Sequence, residues 1–326
     1  MRKKYFNFHS VFAPEIRSFL ELRTAQGHVI RHEAYTLETL DIFLVEHGLC
    51  ERRLPAKTID SWLYSFPNKL NANTLVTYVS YYTQFAKYMR ILDIPAFIPE
   101  RPKGNNDYVP YIFSEDEMKR LFAVCDNLPR KKHVTKAPVI FPVLFRMIYG
   151  CGLRLDEALT LRLKDVDLKN GVLHVLNAKG SKDRIVPMDC SLTDICRNYC
   201  KLLHSNSEDT AYFFESHNHK RFSQAWAGRW FSIVLESAGI ALSDGTKVSR
   251  GICPHCLRHT FAVDSFRRMD RKGRDLYESA PFLSTYMGHY DLYGTEKYLR
   301  MTSEMHAEVV DQMAAYTSCV FPEVSE

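Results

Sequence analysis

The sequence predicts a mainly α protein of two domains, the second an α+β domain whose helices are interrupted by one small antiparallel sheet. Three observations carry this. Apolar residues recur at helical spacing along most of the 326 residues. One stretch rich in proline and charge, IPERPKGNNDYVPY (98–111), breaks the pattern as a linker does. A single later segment, DVDLKNGVLHVLNAKGSKDRIVPM, changes to the character of short strands around a turn.

Taken in order, residues 1–98 are expected to form a helical domain, with helices over 12–22, 35–45, 59–64 and 74–91. Residues 99–112 form the linker and 113–326 the second domain. Ser114 followed by Glu117 is a capping box, so a helix should open there. Helices are expected over 115–125, 138–149 and 155–163. Strands then fall at 172–176 and 184–186, joined across a Gly180-Ser181 turn. From Leu192 to Tyr316 the pattern is helical again.

Composition narrows the function classes. Hydrophobic residues make up 46% and charged residues 25% of the chain, values of a folded protein. No run approaches the roughly 20 apolar residues of a membrane span, and MRKKYFNFHS lacks the apolar core of a secretory signal. Nine cysteines, scattered from Cys50 to Cys319, do not form a paired disulfide framework, and a cytoplasmic location is expected. The net charge of +5 permits nucleic acid as a partner without demonstrating it. Arg130-Lys131-Lys132, the group Lys179, Lys182 and Arg184, and the run from Arg267 to Lys272 are basic clusters. Each alone is ordinarily a solvated face.

The stretch CPHCLRHTFA (253–262) admits three chemistries. A redox dithiol is expected after a strand in a βαβ pattern, and no strand precedes Cys253. Zinc needs four well-spaced ligands. His255 and His259 supply two, with no second cluster in a convincing place. As a helix start, Pro254 takes the first helical position, His255 lies in the first turn, and Arg258 follows on the same face. That arrangement suits a phosphate. Upstream, YGCGLRLDEALTLRL sets Arg154 and Glu157 three apart, which in isolation is an ordinary surface pair. Lys179 sits at the hairpin tip, where a lysine is usually solvated. Downstream, LSTYMGHYDLYGTEKYLR ends one helix at Gly288-His289 and places Tyr298 at the start of the next.

Together these blocks resemble the tyrosine recombinase (phage integrase) family. Its signature is an arginine in G-L-R-x-x-E, a lysine on a β-hairpin, H-x-x-R, G-H and a following tyrosine. This chain shows Arg154, Lys179, His255, Arg258, His289 and Tyr298 in that order. The resemblance covers the second domain and extends more loosely to the first, which looks like the family's helical core-binding domain.

The resemblance implies transesterification at a DNA phosphodiester through a covalent 3′-phosphotyrosyl intermediate, with no metal or nucleotide cofactor. Tyr298 would be the nucleophile, a phenol of pKa near 10 that needs activation. Arg154 and Arg258 would hold the non-bridging oxygens with forked donors that lysine does not match. Lys179 would protonate the leaving 5′ oxygen. His255 would move a proton or donate to the phosphate, His289 would donate to it, and Glu157 would buttress Arg154. Expected partners are double-stranded DNA, three further copies in a homotetrameric synaptic complex, and accessory DNA-bending proteins. Asn73, Thr77, Tyr81, Lys87 and Arg90 are candidate DNA contacts, set against a merely polar outer helix face. A last helix opening near Ser303 and Glu304, with Met305, Val309, Met313 and Tyr316 in one stripe, would dock into a neighbouring protomer or pack on its own domain. A type IB topoisomerase-like enzyme and a non-catalytic DNA-binding relative are the alternatives. The intact residue set argues against the latter.

Overall fold

A computed structural model of the chain describes residues 6–66, 70–105, 109–129, 136–176, 183–240, 251–289 and 292–304. Two compact units result, Met1–Asp107 and Tyr108–Glu326, and the division falls inside the segment 99–112.

The first unit contains α1 (Ala13–Ala25), α2 (Arg31–Glu46), α3 (Ala56–Tyr64) and α4 (Ala72–Ile91). Asn71 starts α4 by accepting from the amides of Asn73 and Thr74, which otherwise lack intrahelical partners. Phe12, Phe19, Leu37, Trp62, Tyr82, Phe85 and Met89 fill the core. The chain after α4 is tied back by a parallel bridge between Leu54 and Ala96, and by the Tyr82 hydroxyl donating to Phe97 O at 2.8 Å.

Of the α4 candidates for DNA contact, Thr77 and Lys87 are exposed and Tyr81 is half-buried. Asn73 has a competing commitment: its side chain donates to Asn105 O at 2.8 Å and accepts from Asn105 N at 2.9 Å. Thr77 donates to Asn73 O at 2.9 Å, and Arg90 Nε donates to Ala96 O at 2.8 Å.

The second unit opens with α5 (Glu115–Asp126), where both halves of the capping box form: Glu117 N donates to Ser114 Oγ and Ser114 N to Glu117 Oε2. Next comes α6 (Ala137–Cys151), whose Ile140, Phe141, Leu144, Phe145 and Ile148 are fully buried. A short α7 (Leu155–Thr160) leads into a three-stranded antiparallel sheet of β1 (Val166–Asp167), β2 (Val172–Val175) and β3 (Arg184–Pro187). Leu173 faces Val186 on the buried side, while Ile185 stays 65% exposed, the alternation expected of a sheet with one solvated face. Helices α8 (Cys190–Leu203), α9 (Gln224–Ser237), α10 (His255–Arg271), α11 (Leu276–Met287) and α12 (Tyr293–Glu304) complete the unit. Among the described residues no helix is long and apolar enough to cross a membrane.

Four sequence expectations need correction. Strand β1 was not expected, because two residues are too few to establish a period. The helix expected over 155–163 stops at Thr160, since Leu161 O accepts from Phe213 N at 2.8 Å instead of continuing the helical ladder. For the same reason residues 204–223 are not helical: their backbone pairs with that of residues 161–164 and with itself. Lastly, α12 begins at Tyr293, so Tyr298 lies inside the helix and not at its start, and Ser303 and Glu304 belong to α12 where a separate helix was expected to open. Met305, Val309, Met313 and Tyr316 lie outside the described residues, as do Lys179, Lys182 and the Gly180-Ser181 turn.

Candidate active site

The site grows from the way α6 ends. Gly152 takes φ = 59°, and a Cβ there would lie 2.6 Å from the Phe261 ring, so the turn needs glycine for both backbone and space. The chain reverses and Arg154 becomes the residue that caps α7. Glu157, in the first turn, accepts from Arg154 N at 2.9 Å and from Arg154 Nη1 at 2.6 Å. Arg184 of β3 binds the same carboxylate through Nη1 at 3.1 Å and Nη2 at 2.7 Å. Burial alone would raise the Glu157 carboxyl. The hydrogen bonds from Arg184 and the Arg154 amide outweigh it and bring the pKa down to about 2.

A second anchor is the end of α11. Its last carbonyls have no intrahelical donors and carry the negative end of the helix dipole. Three arginines use them in succession: Arg184 Nε donates to Tyr286 O at 2.9 Å, Arg258 Nη2 to Met287 O at 2.8 Å, and Arg154 Nη2 to Gly288 O at 2.8 Å. Gly288 closes the helix with φ = 66°, and a Cβ there would sit 2.9 Å from Arg184 Nη1. Glycine is therefore required where this helix end meets the arginines.

Arg258 comes from α10. Pro254 has helical φ but stands one place before the helix, so His255 is the first helical residue, one position earlier in the helix than expected. Arg258 is only 1% exposed and donates Nη1 to Gly152 O at 2.5 Å. Burial, reinforced by Arg154, pulls its pKa down to about 9, which leaves it cationic at neutral pH. Thus the two turns flanking α6 and α11 hold the same guanidinium.

The histidines line the other side. His255 and His259 lie one turn apart on α10 with rings perpendicular at 4.6 Å. His259 Nδ1 is 2.6 Å from Tyr298 Oη. His289 Nδ1 is 2.7 Å from the hydroxyl of buried Thr295, and its ring lies 6.2 Å from that of Tyr298. Burial, with Arg258 and Arg154 adding repulsion, pushes His255 down to about 4. Burial, His255 and Arg258 push His259 down to about 3, so both rings are neutral at pH 7. Tyr298 is 4% exposed; burial raises its phenol to about 12, against the pull of Arg258 and Arg154.

Five of the six expected site residues, Arg154, His255, Arg258, His289 and Tyr298, meet in this one place. Lys179 lies outside the described residues. Two participants were not expected. Arg184 appeared only as one member of a basic cluster, and His259 only as a zinc candidate. Its i, i+4 spacing from His255, which sets both on one helix face, was the available signal for His259. Among the described residues no three His, Cys, Asp or Glu side chains gather as metal ligands, and no cysteine is in a disulfide. Its hydrogen bond with Cys253, together with burial, raises the Cys256 thiol, the opposite of a reactive dithiol.

Comparison with known proteins agrees with this architecture. The phage integrase family matches residues 112–305. Tyrosine recombinase XerC of Chlorobaculum parvum is 28% identical over 316 residues, spanning 90% of this chain and 84% of XerC. In fold, the XerH site-specific recombinase bound to palindromic difH in a post-cleavage complex is similar with TM-score 0.64, at 17% identity and with 92% of this chain and 82% of that one covered. A lambda integrase tetramer bound to a Holliday junction gives TM-score 0.59 at 13% identity, covering 85% and 77%. The chain belongs to the phage integrase family and is a DNA strand transferase of the tyrosine recombinase type.

Proposed function

We propose that this recombinase cuts and rejoins DNA with Tyr298 as nucleophile, through a 3′-phosphotyrosyl intermediate, and with Arg154 and Arg258 as the ligands of the scissile phosphate. The observation that carries this is the charge balance around Glu157. Three guanidinium groups, Arg154, Arg184 and Arg258, surround one carboxylate, so three positive charges less one negative leave a surplus of two. A phosphodiester brings one negative charge, and the five-coordinate transition state formed by a deprotonated phenol carries two. The fixed surplus therefore fits the transition state better than the ground state, which is the condition for catalysis. Arg184 and Glu157 act through their neighbours; they position Arg154 and Arg258.

His255, neutral at pH 7, and His289 serve as hydrogen-bond partners of the phosphate in this reading, and Lys179 as the acid that protonates the 5′ oxygen. The first unit acts as the core-binding domain, with α4 facing DNA through Thr77, Tyr81, Lys87 and Arg90. Asn73 contributes there only if it gives up Asn105. Four copies assemble on two duplexes, the same number as in the lambda integrase tetramer bound to a Holliday junction, in the cytoplasm at the nucleoid.

The test uses nicked duplexes carrying candidate sites. The protein should form an adduct that survives denaturant, and the modified peptide should contain Tyr298. Tyr298→Phe should abolish it; an adduct persisting in that variant would remove the assignment. A substrate with sulfur at the 5′ leaving position should rescue Lys179→Ala and not Lys182→Ala. Exchange of strands between two duplexes, as opposed to relaxation of one plasmid, separates recombination from topoisomerase action.

A further inference from the structure

We propose that His259 is the base that takes the phenol proton of Tyr298 as its oxygen attacks phosphorus. This rests on the reading of Tyr298 as nucleophile. The H-x-x-R pattern points to His255 for proton transfer, but the geometry selects the neighbour one turn on. His259 Nδ1 stands 2.6 Å from Tyr298 Oη, the distance of a short O–H···N bond. His255 meets His259 ring to ring, with the planes at 84°. Helix α10 packs along α12, so the pair is held by two helices and not by a loop.

A base must be neutral before it acts, and His259 is: burial, His255, Arg258, Lys297 and His289 all disfavour its proton. Before DNA binds, those same groups leave it too weak to ionise Tyr298 outright. A phosphodiester lying on Arg258 offsets one of those positive charges and restores basicity where the proton must go. The phenol also becomes far more acidic as its oxygen bonds to phosphorus, so proton transfer accompanies attack. In cleavage the Tyr298 Oη–P bond forms and the P–O5′ bond breaks. The phenol proton passes to His259 Nδ1, and the 5′ oxygen leaves with a proton from the opposite side, from Lys179 in the reading above. In ligation the 5′ hydroxyl gives its proton back there, and His259 returns its own to the phenol oxygen.

Two measurements test this on the full chain. First, in protein with nitrogen-15 histidine and no DNA, His259 should be neutral at pH 7, with its hydrogen on Nε2 and an unprotonated Nδ1 whose signal moves in Tyr298→Phe. A hydrogen on Nδ1 would make the histidine a donor to Tyr298 and overturn the proposal. Second, cleavage is followed on a nicked duplex selected from a randomised pool by adduct formation with the unaltered protein. His259→Gln and His259→Ala should slow cleavage by about 10²–10⁴ while gel-shift affinity holds. Replacing Tyr298 by a ring-fluorinated tyrosine, whose phenol is more acidic, should shrink that loss to about tenfold or less. Equal losses with either phenol would assign His259 a structural role and sink the proposal. If instead Tyr298→Phe still forms the adduct, the nucleophile assignment fails first, so the two failures are told apart.

Discussion

The two halves of the site use different chemistry. On the arginine side, Glu157 takes hydrogen bonds from Arg154 and Arg184, and the three arginines are also tied to consecutive carbonyls at the end of α11. On the side of the proposed nucleophile, Tyr298 meets His259 at 2.6 Å, and His289 Nδ1 is 2.7 Å from the Thr295 hydroxyl. The first half is an over-determined buried network whose donors are fixed by the protein itself, which is what transition-state stabilisation in the proposed reaction requires. In the proposed mechanism the second half lets a proton leave and a covalent bond form, so the Tyr298–His259 contact is one that the reaction itself would break.

The largest effect expected of breaking this contrast is at Glu157. Glu157→Ala leaves buried guanidiniums uncompensated and should cost about 3–5 kcal/mol of stability, read as a shift in the urea unfolding midpoint. A loss below 1 kcal/mol would mean that the α11 carbonyls hold the arginines unaided.

Next come the arginines themselves. Arg258→Lys cannot reach both Gly152 O and Met287 O while presenting a fork to phosphate, and Arg154→Lys loses the bridge from Glu157 to Gly288 O. Either should lower the cleavage rate by about 10²–10³ with DNA binding nearly unchanged. Parallel losses of rate and gel-shift affinity would reassign them as groups that merely bind.

Acid should separate the two halves more gently. His255 and His259 titrate at about 4 and about 3 in the folded chain, below the ordinary histidine value of 6.5. Between those values and 6.5 the unfolded chain binds more protons, so stability rises with pH and is lost as pH falls, by at most about 1.4 kcal/mol per pH unit for each histidine. Glu157 has the same sign lower down. Its stabilisation is present above its ordinary value of 4.5 and fades as pH falls toward about 2. Melting temperatures from pH 7.5 to 4 should therefore drop, and His259→Gln should flatten the upper part of the curve; an unchanged slope would contradict the burial of neutral rings.

The smallest effect is expected at the cysteines. Cys253→Ser with Cys256→Ala should keep cleavage, at a stability loss of about 1 kcal/mol for the buried thiol. Loss of both activity and bound zinc would restore the metal chemistry that CPHC suggests.

Much of this was legible beforehand because it is local. The capping box at Ser114 and Glu117, the helices of both units, the β2–β3 pairing and the Gly-His stop before α12 depend on neighbours within a few positions. The two arginines proposed as phosphate ligands, Arg154 and Arg258, were picked out by the resemblance of their blocks to G-L-R-x-x-E and H-x-x-R, which are also local patterns. The boundaries that failed, Thr160 and the stretch 204–223, failed where distant backbone took over hydrogen bonds that a local pattern assigns to a helix. The start of α12 at Tyr293 was hidden because GTEKY lacks a clear apolar period.

The sequence by itself determined the family blocks, the order in which their arginines, histidines and tyrosine follow one another, and the helices that carry them. Only the tertiary structure decided that Arg184 joins Arg154 on Glu157, that α11 offers one carbonyl to each of three arginines, and that His259 reaches Tyr298. The physical reason is the same in each case. These partners lie 27, 29, 39, 102 or 134 residues apart, and most of the acceptors are peptide oxygens, which every residue carries alike. A backbone carbonyl becomes a specific ligand only when folding leaves it without a helical donor and brings a buried guanidinium within reach.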